Sequence, residues 1–399
     1  MAAAATLQQG DTPRSWADLP LDLAAAVLRR LPPRPLDRVR FGAVCAQWRA
    51  AARENPAMPP HFPWLALPDR TFYSLPDSAF RPLLVHLDGH RQLPHAQSSC
   101  GEWLVFERQD GAITLMSPFS GATMVLPGHH TLPRRGDDEE PFKVGYDVQG
   151  PPIRKLVVWL DNLVAAAVVG DGNVNLALCR PGAGSWSWAL VDGAKVAARD
   201  IVLYQGQLYT FSGPSSMRGG RRLSTVSIAD DDEPAVSEVR CVIPGLMTER
   251  PPYSQHYLLE SRGALLMITK KDEYSSGDLD PAAAKFVVYV ANFERSRWTV
   301  AQGETQLLGE VSDDRVIILG PWCSRSIAVG TPAQRLSVGG SSIVFFYDRN
   351  GGLNRFRRKR LPFFCGVYDI KTRRSHSLLQ TSVSPLKGFE TISWLFPTS

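Results

Sequence analysis

The chain has 399 residues, of which 44% are hydrophobic and 21% charged, and its formal net charge is +5. This composition is typical of folded globular proteins and excludes a fibrous or largely disordered chain. The small positive excess does not indicate nucleic-acid binding, and no apolar run approaches the roughly 18–20 residues of a membrane-spanning helix. We therefore expect a soluble protein of the cytoplasm or nucleus, with at least two domains and no membrane partner.

Residues 1–13 read as a disordered tail, and residues 14–57 read as three short helices. Asp18 can cap the first helix, which has Pro20 in its first turn and ends before Pro32. A second helical stretch leads to Val44, and a third begins near Cys45. Three helices of this size cannot bury all their apolar side chains, so some are expected to face another protein. The alternative is that they pack on the rest of the chain.

The apolar residues of this segment resemble an F-box in order and spacing. The matching positions are Leu19-Pro20, Leu23, Val27-Leu28, Leu31-Pro32, Leu36, Val39, Val44-Cys45 and Trp48-Arg49. The V-C-x-x-W-R ending is quite specific, whereas Pro35 departs from the acidic residue often found before the leucine.

The resemblance implies that residues 14–57 dock on a Skp-type adaptor, which links them to a cullin ubiquitin ligase. By position, the docking face is predicted to consist of Leu19, Pro20, Leu23, Val27, Leu28 and Leu31. The residues predicted to hold the F-box helices together are Leu36, Val39, Val44, Cys45 and Trp48.

From residue 60 onward the helical periodicity is replaced by short β-rich runs separated by Gly, Asp, Asn and Pro turns. Predicted hairpins include Leu163–Val169 with Val174–Cys179, and Ile201–Tyr204 with Leu208–Phe211. The strand-turn theme recurs about every 40–50 residues, which is typical of propeller blades. Residues 60–399 therefore predict an all-β propeller-like domain of about six or seven blades, with a stacked pair of β-sandwiches as the alternative.

This second region also resembles a plant domain of unknown function, number 295, whose members are kelch-like propellers that usually follow an F-box. The resemblance rests on several short motifs and on the ending Trp394-Leu395-Phe396-Pro397. The other motifs, in chain order, are Pro63-Trp64-Leu65, Thr71-Phe72-Tyr73-Ser74-Leu75, Gly101-Glu102-Trp103-Leu104-Val105 and Ser117-Pro118-Phe119-Ser120-Gly121.

No motif of a phosphate-binding loop or a nucleophile elbow occurs in the chain. The six cysteines contain no C-x-x-C pair, and the prolines and glycine around His86, His90 and His95 favour a loop over a metal site. The acidic runs 137–140 and 230–233 are predicted to be solvated turns. We therefore expect no catalytic residue, cofactor or metal.

One basic run is a candidate for target recognition. It consists of Arg355, Phe356, Arg357, Arg358, Lys359 and Arg360. Such a run is most often an exposed hairpin loop, but the loops of a propeller are where a partner would bind.

The sequence thus predicts a non-catalytic adaptor of a Skp-cullin-F-box ubiquitin ligase, with the helices binding the ligase and the propeller binding a target protein. Two alternatives remain open at this stage. One is an F-box interaction protein without ligase activity, and the other is a propeller-fold hydrolase.

Overall fold

The structure is a computed structural model, and the chain divides into two compact units, residues 1–61 with 398–399 and residues 62–397. The described residues are 15–31, 35–54, 62–66, 71–75, 79–82, 98–107, 112–118, 121–128, 131, 153–159, 163–170, 173–212, 222–229, 234–245, 254–271, 285–301, 314–320, 323–329, 341–347, 364–380 and 393–396. Each unit is considered by itself.

The first unit consists of a 3-10 turn and three helices. The turn is Trp16–Asp18, and the helices are α1 (Leu21–Arg30), α2 (Pro35–Val44) and α3 (Ala46–Glu54). Asp18 was predicted to cap α1, but its side chain accepts a bond from the Ser15 backbone and closes a capping box on the 3-10 turn. Pro20 stands immediately before α1, where its missing N–H costs nothing.

The helical unit has its own small core. Phe41 and Trp48 lie at its centre with ring centroids 4.4 Å apart. The remaining buried members are the small or aliphatic side chains of Ala24, Ala25, Leu28, Ala51 and Ala52. Most of these are alanines, so the core is small, and Leu23 of α1 is left 49% exposed.

The second unit is a six-bladed β-propeller, as predicted. Blade 1 contains β1 (Trp64–Ala66), β2 (Thr71–Ser74), β3 (Ala79–Pro82) and β27 (Ser393–Leu395). Blade 2 contains β4 (Ser98–Cys100), β5 (Trp103–Glu107), β6 (Ile113–Met116) and β7 (Thr123–Leu126). Blade 3 contains β8 (Ile153–Trp159), β9 (Leu163–Gly170), β10 (Asn173–Cys179) and β11 (Ser187–Trp188).

The hairpin β12 (Leu190–Val191) and β13 (Ala194–Lys195) separates these blades from the next three. Blade 4 contains β14 (Asp200–Tyr204), β15 (Gln207–Ser212), β16 (Arg222–Ala229) and β17 (Ala235–Ile243). Blade 5 contains β18 (Ser254–Ser261), β19 (Ala264–Lys271), β20 (Lys285–Asn292) and β21 (Arg297–Val300). Blade 6 contains β22 (Arg315–Ile318), β23 (Arg325–Ala328), β24 (Ser342–Tyr347), β25 (Phe364–Asp369) and β26 (Arg374–Gln380).

Two features depart from a simple meander. The last strand, β27, pairs antiparallel with β1, with Trp394 opposite Leu65, so blade 1 is completed by the end of the chain. In blade 6 the strand order is β23-β22-β24-β25-β26, and β22 pairs with β24 in parallel. The innermost strand of blade 6 is therefore the second one in the sequence.

The apolar core lies between neighbouring blades. Alternate residues of a strand face opposite neighbours, so Leu258 packs towards blade 4 and Leu259 towards blade 6. Ala165 and Val164 are divided in the same way between blades 4 and 2. Blades 3 to 6 thus bury apolar side chains on both faces, as the closed or stacked repeats of a propeller require.

Candidate partner-binding surfaces

The helical unit exposes large apolar side chains that its core does not take up. Trp16 is 72% exposed, Leu23 49% and Val44 47%. On α1, Leu23 and Val27 are four residues apart, and Leu31 follows after another four, so these side chains lie along one side of the helix. Val27 and Leu31 are half-buried and Pro20 is exposed. This apolar stripe is the candidate docking face of the unit.

Hydrogen bonds hold the segment before α1 against α3. The indole Nε1 of Trp48 donates to the backbone oxygen of Trp16 over 3.0 Å. The thiol of Cys45 donates weakly to the backbone oxygen of Ala17 over 3.9 Å, and the Trp48 backbone N–H lies 3.5 Å from the same sulfur. Trp48 and Cys45 thus connect the 3-10 turn Trp16–Asp18 to the start of α3, while the Trp16 side chain stays exposed.

Two residues differ from the prediction in whether they belong to the exposed face or to the core of the helical unit. Leu28 was assigned to the docking face, but it is buried because it points between Phe41 and the alanines of the core. Val44 was assigned to the core, but it stands at the exposed end of α2. Leu19 is half-buried against the core. The side chains of Leu36 and Val39 lie outside the described part of the structure.

In the propeller, the innermost strands β27, β4, β8, β14, β18 and β23 come together around the axis. A contact joins every neighbouring pair of these strands. Between blades 1, 2 and 3, Phe396 N donates to Gly101 O at 2.7 Å and Cys100 Sγ donates to Leu156 O at 2.7 Å. Between blades 3, 4 and 5, Asp200 accepts from Lys155 Nζ at 2.6 Å and from Leu258 N at 2.7 Å. Between blades 5, 6 and 1, Ser261 Oγ bonds Ser326 Oγ at 2.9 Å, and the Arg325 guanidinium lies 5.4 Å from the Phe396 ring. We call these contacts the axial ring.

Three cysteine thiols are kept in the neutral form by burial. Burial raises the pKa of Cys179 and of Cys365 far above the ordinary range of a thiol. Burial also raises the pKa of Cys100, and the neighbouring Cys323 adds to this effect. These three cysteines are therefore neutral core residues at physiological pH, whereas Cys241 is exposed.

The described residues offer no evident catalytic arrangement. Asp200 is engaged by Lys155 and by two backbone N–H groups, and Asp369 accepts the N–H groups of Lys371 and Thr372. No group of three or more potential metal ligands occurs within the described ranges. None of the described helices is long and apolar enough to cross a membrane.

Several sequence candidates lie outside the described residues. They are the histidines His86, His90 and His95, the acidic runs 137–140 and 230–233, and the basic run 355–360. The Lys155–Asp200 pair, by contrast, was missed. The only sequence signal for this pair is a lysine within an apolar strand. A register shift between Ile153 and Lys155 breaks the alternation of inward and outward side chains there, so the sequence pattern does not indicate which way Lys155 points.

The KIB1-4 beta-propeller family matches residues 72–369 of this chain, and the chain belongs to that family. The match covers blade 1 from β2 onward and continues into β25 of blade 6. It therefore comprises most of the second unit.

A curated protein of Arabidopsis thaliana, "Putative F-box protein At4g22180", is 42% identical over 59 residues. That segment is 15% of this chain and 14% of the Arabidopsis protein, so the chain matches only a small part of that relative.

Among solved structures, TolB from Acinetobacter baumannii has a TM-score of 0.39 at 10% identity, covering 88% of this chain and 73% of TolB. The N-terminal domain of Nup159 has a TM-score of 0.21 at 11% identity, covering 59% and 61%. The tricorn protease has a TM-score of 0.29 at 9% identity, covering 80% and 31%.

Proposed function

We propose that this protein is the target-recognition adaptor of a Skp-cullin-F-box ubiquitin ligase in the plant cytoplasm or nucleus. In this proposal, residues 14–57 are an F-box that docks on a Skp-type adaptor. The propeller, which we also assign to domain of unknown function 295, holds a target protein. The chain has no catalytic role of its own.

The observation that carries the proposal is the apolar stripe on α1. Leu23 is 49% exposed and Pro20 is exposed, while Val27 and Leu31 are only half-buried, although the unit has a small core of its own. Covering such side chains removes apolar area from water, which is the main driving force of protein association. The family membership of the propeller and the name of the Arabidopsis relative agree with the proposal.

The contribution of such an adaptor is proximity. A target held on the propeller would meet the ubiquitin-loaded enzyme at a high effective concentration, so its lysines are modified without a new active site. The run Arg355–Arg360 remains a prediction for target contact, because it lies outside the described residues.

The decisive test is co-purification of the full chain with a Skp-type adaptor and a cullin. Leu23→Asp places a charge in the stripe, and we expect it to weaken adaptor binding by at least tenfold because a buried unpaired charge is costly. Val125→Asp, on the edge strand β7, is the matched control, since Val125 is 44% exposed. If the Leu23→Asp variant bound the adaptor as tightly as the unchanged chain does, the apolar stripe on α1 would not be the docking face. Adaptor binding without cullin would favour an interaction protein without ligase activity.

A further inference from the structure

The rim of blade 6 carries a group of exposed basic side chains. Lys371 and Arg373 lie in the turn between β25 and β26, and Arg374 is the first residue of β26. His376 follows on the same strand, also exposed. We call these four residues the blade 6 rim.

The turn that presents this rim is fixed by its own acid. Oδ1 of Asp369 accepts the backbone N–H groups of Lys371 at 2.8 Å and Thr372 at 3.1 Å. Arg373 has a φ of +56°, and the pair Asp369–Arg374 closes the ladder behind it. The carboxylate that lies nearest in sequence therefore holds the loop, and the cationic groups project from a defined turn.

Blade 5 adds another cation near this rim. The Phe286 ring lies 5.0 Å from the Tyr368 ring, and Lys285, the residue before Phe286, is exposed at the start of β20. Burial raises the pKa of Tyr368; among the smaller effects, the charges of Arg373 and Lys285 lower it and that of Asp369 raises it. The surroundings of Tyr368 thus contain one carboxylate, which is bonded to the turn, besides the two cations.

The strand beside these cations is an outer edge. β26 is the last strand of its sheet, and within the described ranges no strand pairs with its far side. Arg374, His376 and Ser377 are exposed and Leu378 is half-buried. An edge of this kind offers backbone N–H and C=O groups to an extended chain, which can add to the sheet as a further strand.

We propose that the rim of blade 6 binds an extended acidic segment of a target protein, which adds as a strand along β26 and places its carboxylates on Arg373 and Arg374. Backbone pairing supplies the alignment, and the arginines form charge-assisted hydrogen bonds with the carboxylates. The inference deepens the proposed function, on which the identity of the partner as a ligase target rests. Basic residues on an edge strand also prevent aggregation, so the test must separate recognition from protection.

The probe is a short fluorescein-labelled peptide of alternating glutamate and valine, measured by fluorescence anisotropy with the full chain. We expect saturable binding that weakens as salt is raised. R373E/R374E should lower the affinity at least tenfold. R295E/R297E is the matched control, because Arg295 and Arg297 are exposed in the turn before, and at the start of, the outer strand β21 of blade 5. That control should bind like the unchanged chain.

A second peptide separates strand addition from simple charge attraction. N-methylation of alternate residues removes the N–H groups of one edge and keeps every carboxylate, so this peptide should bind much more weakly. The proposal would be overturned if the unmethylated peptide showed no saturable binding, or if R373E/R374E bound it as tightly as the unchanged chain does. It would also be overturned if the methylated peptide or single-stranded DNA bound the unchanged chain as tightly as the unmethylated peptide. If R373E/R374E proves unfolded by its thermal transition, R373Q/R374Q replaces it.

Failure here can be distinguished from failure of the proposed function. The variant R373E/R374E leaves the helical unit untouched and is expected to co-purify with the Skp-type adaptor as the unchanged chain does. Peptide binding without adaptor binding would refute the ligase role and keep the rim as an acidic-segment site.

Discussion

Nζ of Lys155 lies 2.6 Å from Oδ1 of Asp200, and both side chains are buried where the innermost strands of blades 3 and 4 meet. The same carboxylate accepts the backbone N–H of Leu258 in blade 5 at 2.7 Å. One acidic side chain thus connects three consecutive blades. Removing its partner would leave a charge away from water.

We therefore expect Lys155→Ala to lower the free energy of unfolding by about 3–5 kcal/mol, the usual effect of breaking a buried ion pair. Arg154→Ala is the control, because Arg154 is the exposed basic neighbour on the same strand. It should change stability by less than about 0.5 kcal/mol. Urea unfolding measures both, and equal losses would contradict the role given to the pair.

The closing strand gives a second prediction. Trp394 is buried, and its Nε1 donates to the backbone oxygen of Leu319 in blade 6 over 3.1 Å. Trp394→Ala should cost about 3–5 kcal/mol through lost packing. Trp394→Phe should cost about 1–2 kcal/mol, because it keeps most of the ring volume and leaves one acceptor unpaired. Thermal unfolding checks the order, and a phenylalanine variant as unstable as the alanine variant would contradict it.

The buried thiols predict a pH dependence. Since burial raises the pKa of Cys100, Cys179 and Cys365, only the unfolded chain ionises these groups near the ordinary thiol pKa of about 8.5. The native state then binds more protons than the unfolded state, so stability should be retained below that pH and fall above it. The urea midpoint of unfolding, measured at pH 7 and at pH 9, gives the loss of stability. In the Cys365→Ala variant the difference between these two midpoints should be smaller than in the unchanged chain.

Thiol labelling provides an independent check. In the native chain, iodoacetamide should modify the exposed Cys241 and spare Cys100, Cys179 and Cys365 even at pH 9. All six cysteines should react in urea. Labelling of Cys365 at the rate of Cys241 without denaturant would contradict the assignment.

Trp48 predicts the behaviour of the helical unit. Trp48→Ala removes its ring contact with Phe41 and its bond to Trp16, a loss of about 3–5 kcal/mol that is large for a unit of this size. Limited proteolysis should then cut within residues 15–54 while the propeller stays resistant. Gln47→Ala, at the exposed neighbouring position, should leave the protease pattern unchanged.

The local elements of the fold could be predicted from the sequence. The predicted hairpin Ile201–Tyr204 with Leu208–Phe211 is confirmed, and both residues of its turn, Gln205-Gly206, have positive φ, as tight two-residue hairpins require. The run Leu163–Val169 is apolar throughout because the strand is covered on both faces. Local turn chemistry and strand patterning therefore carry most of the information on the blades.

The contacts between residues far apart in the chain could not be predicted from the sequence. Pairing of Ser393–Leu395 with Trp64–Ala66 joins residues at opposite ends of the propeller, and no spacing rule links them. The inner position of β23 depends on the parallel pairing of β22 with β24, which a hairpin-based interpretation does not anticipate. On α1, Leu28 is buried in the core of the unit while Leu23 is 49% exposed, and this division depends on how the other helices pack against α1.

The pairing of β27 with β1 also bears on how this protein is made. During translation the first blade stays one strand short until Trp394 has left the ribosome, although nearly all the other strands have already emerged. Ring closure therefore waits for the last strand of the propeller, and a chain that stops before β27 would keep uncovered apolar surface on blades 1 and 6. Such a chain would itself be a substrate for cellular quality control.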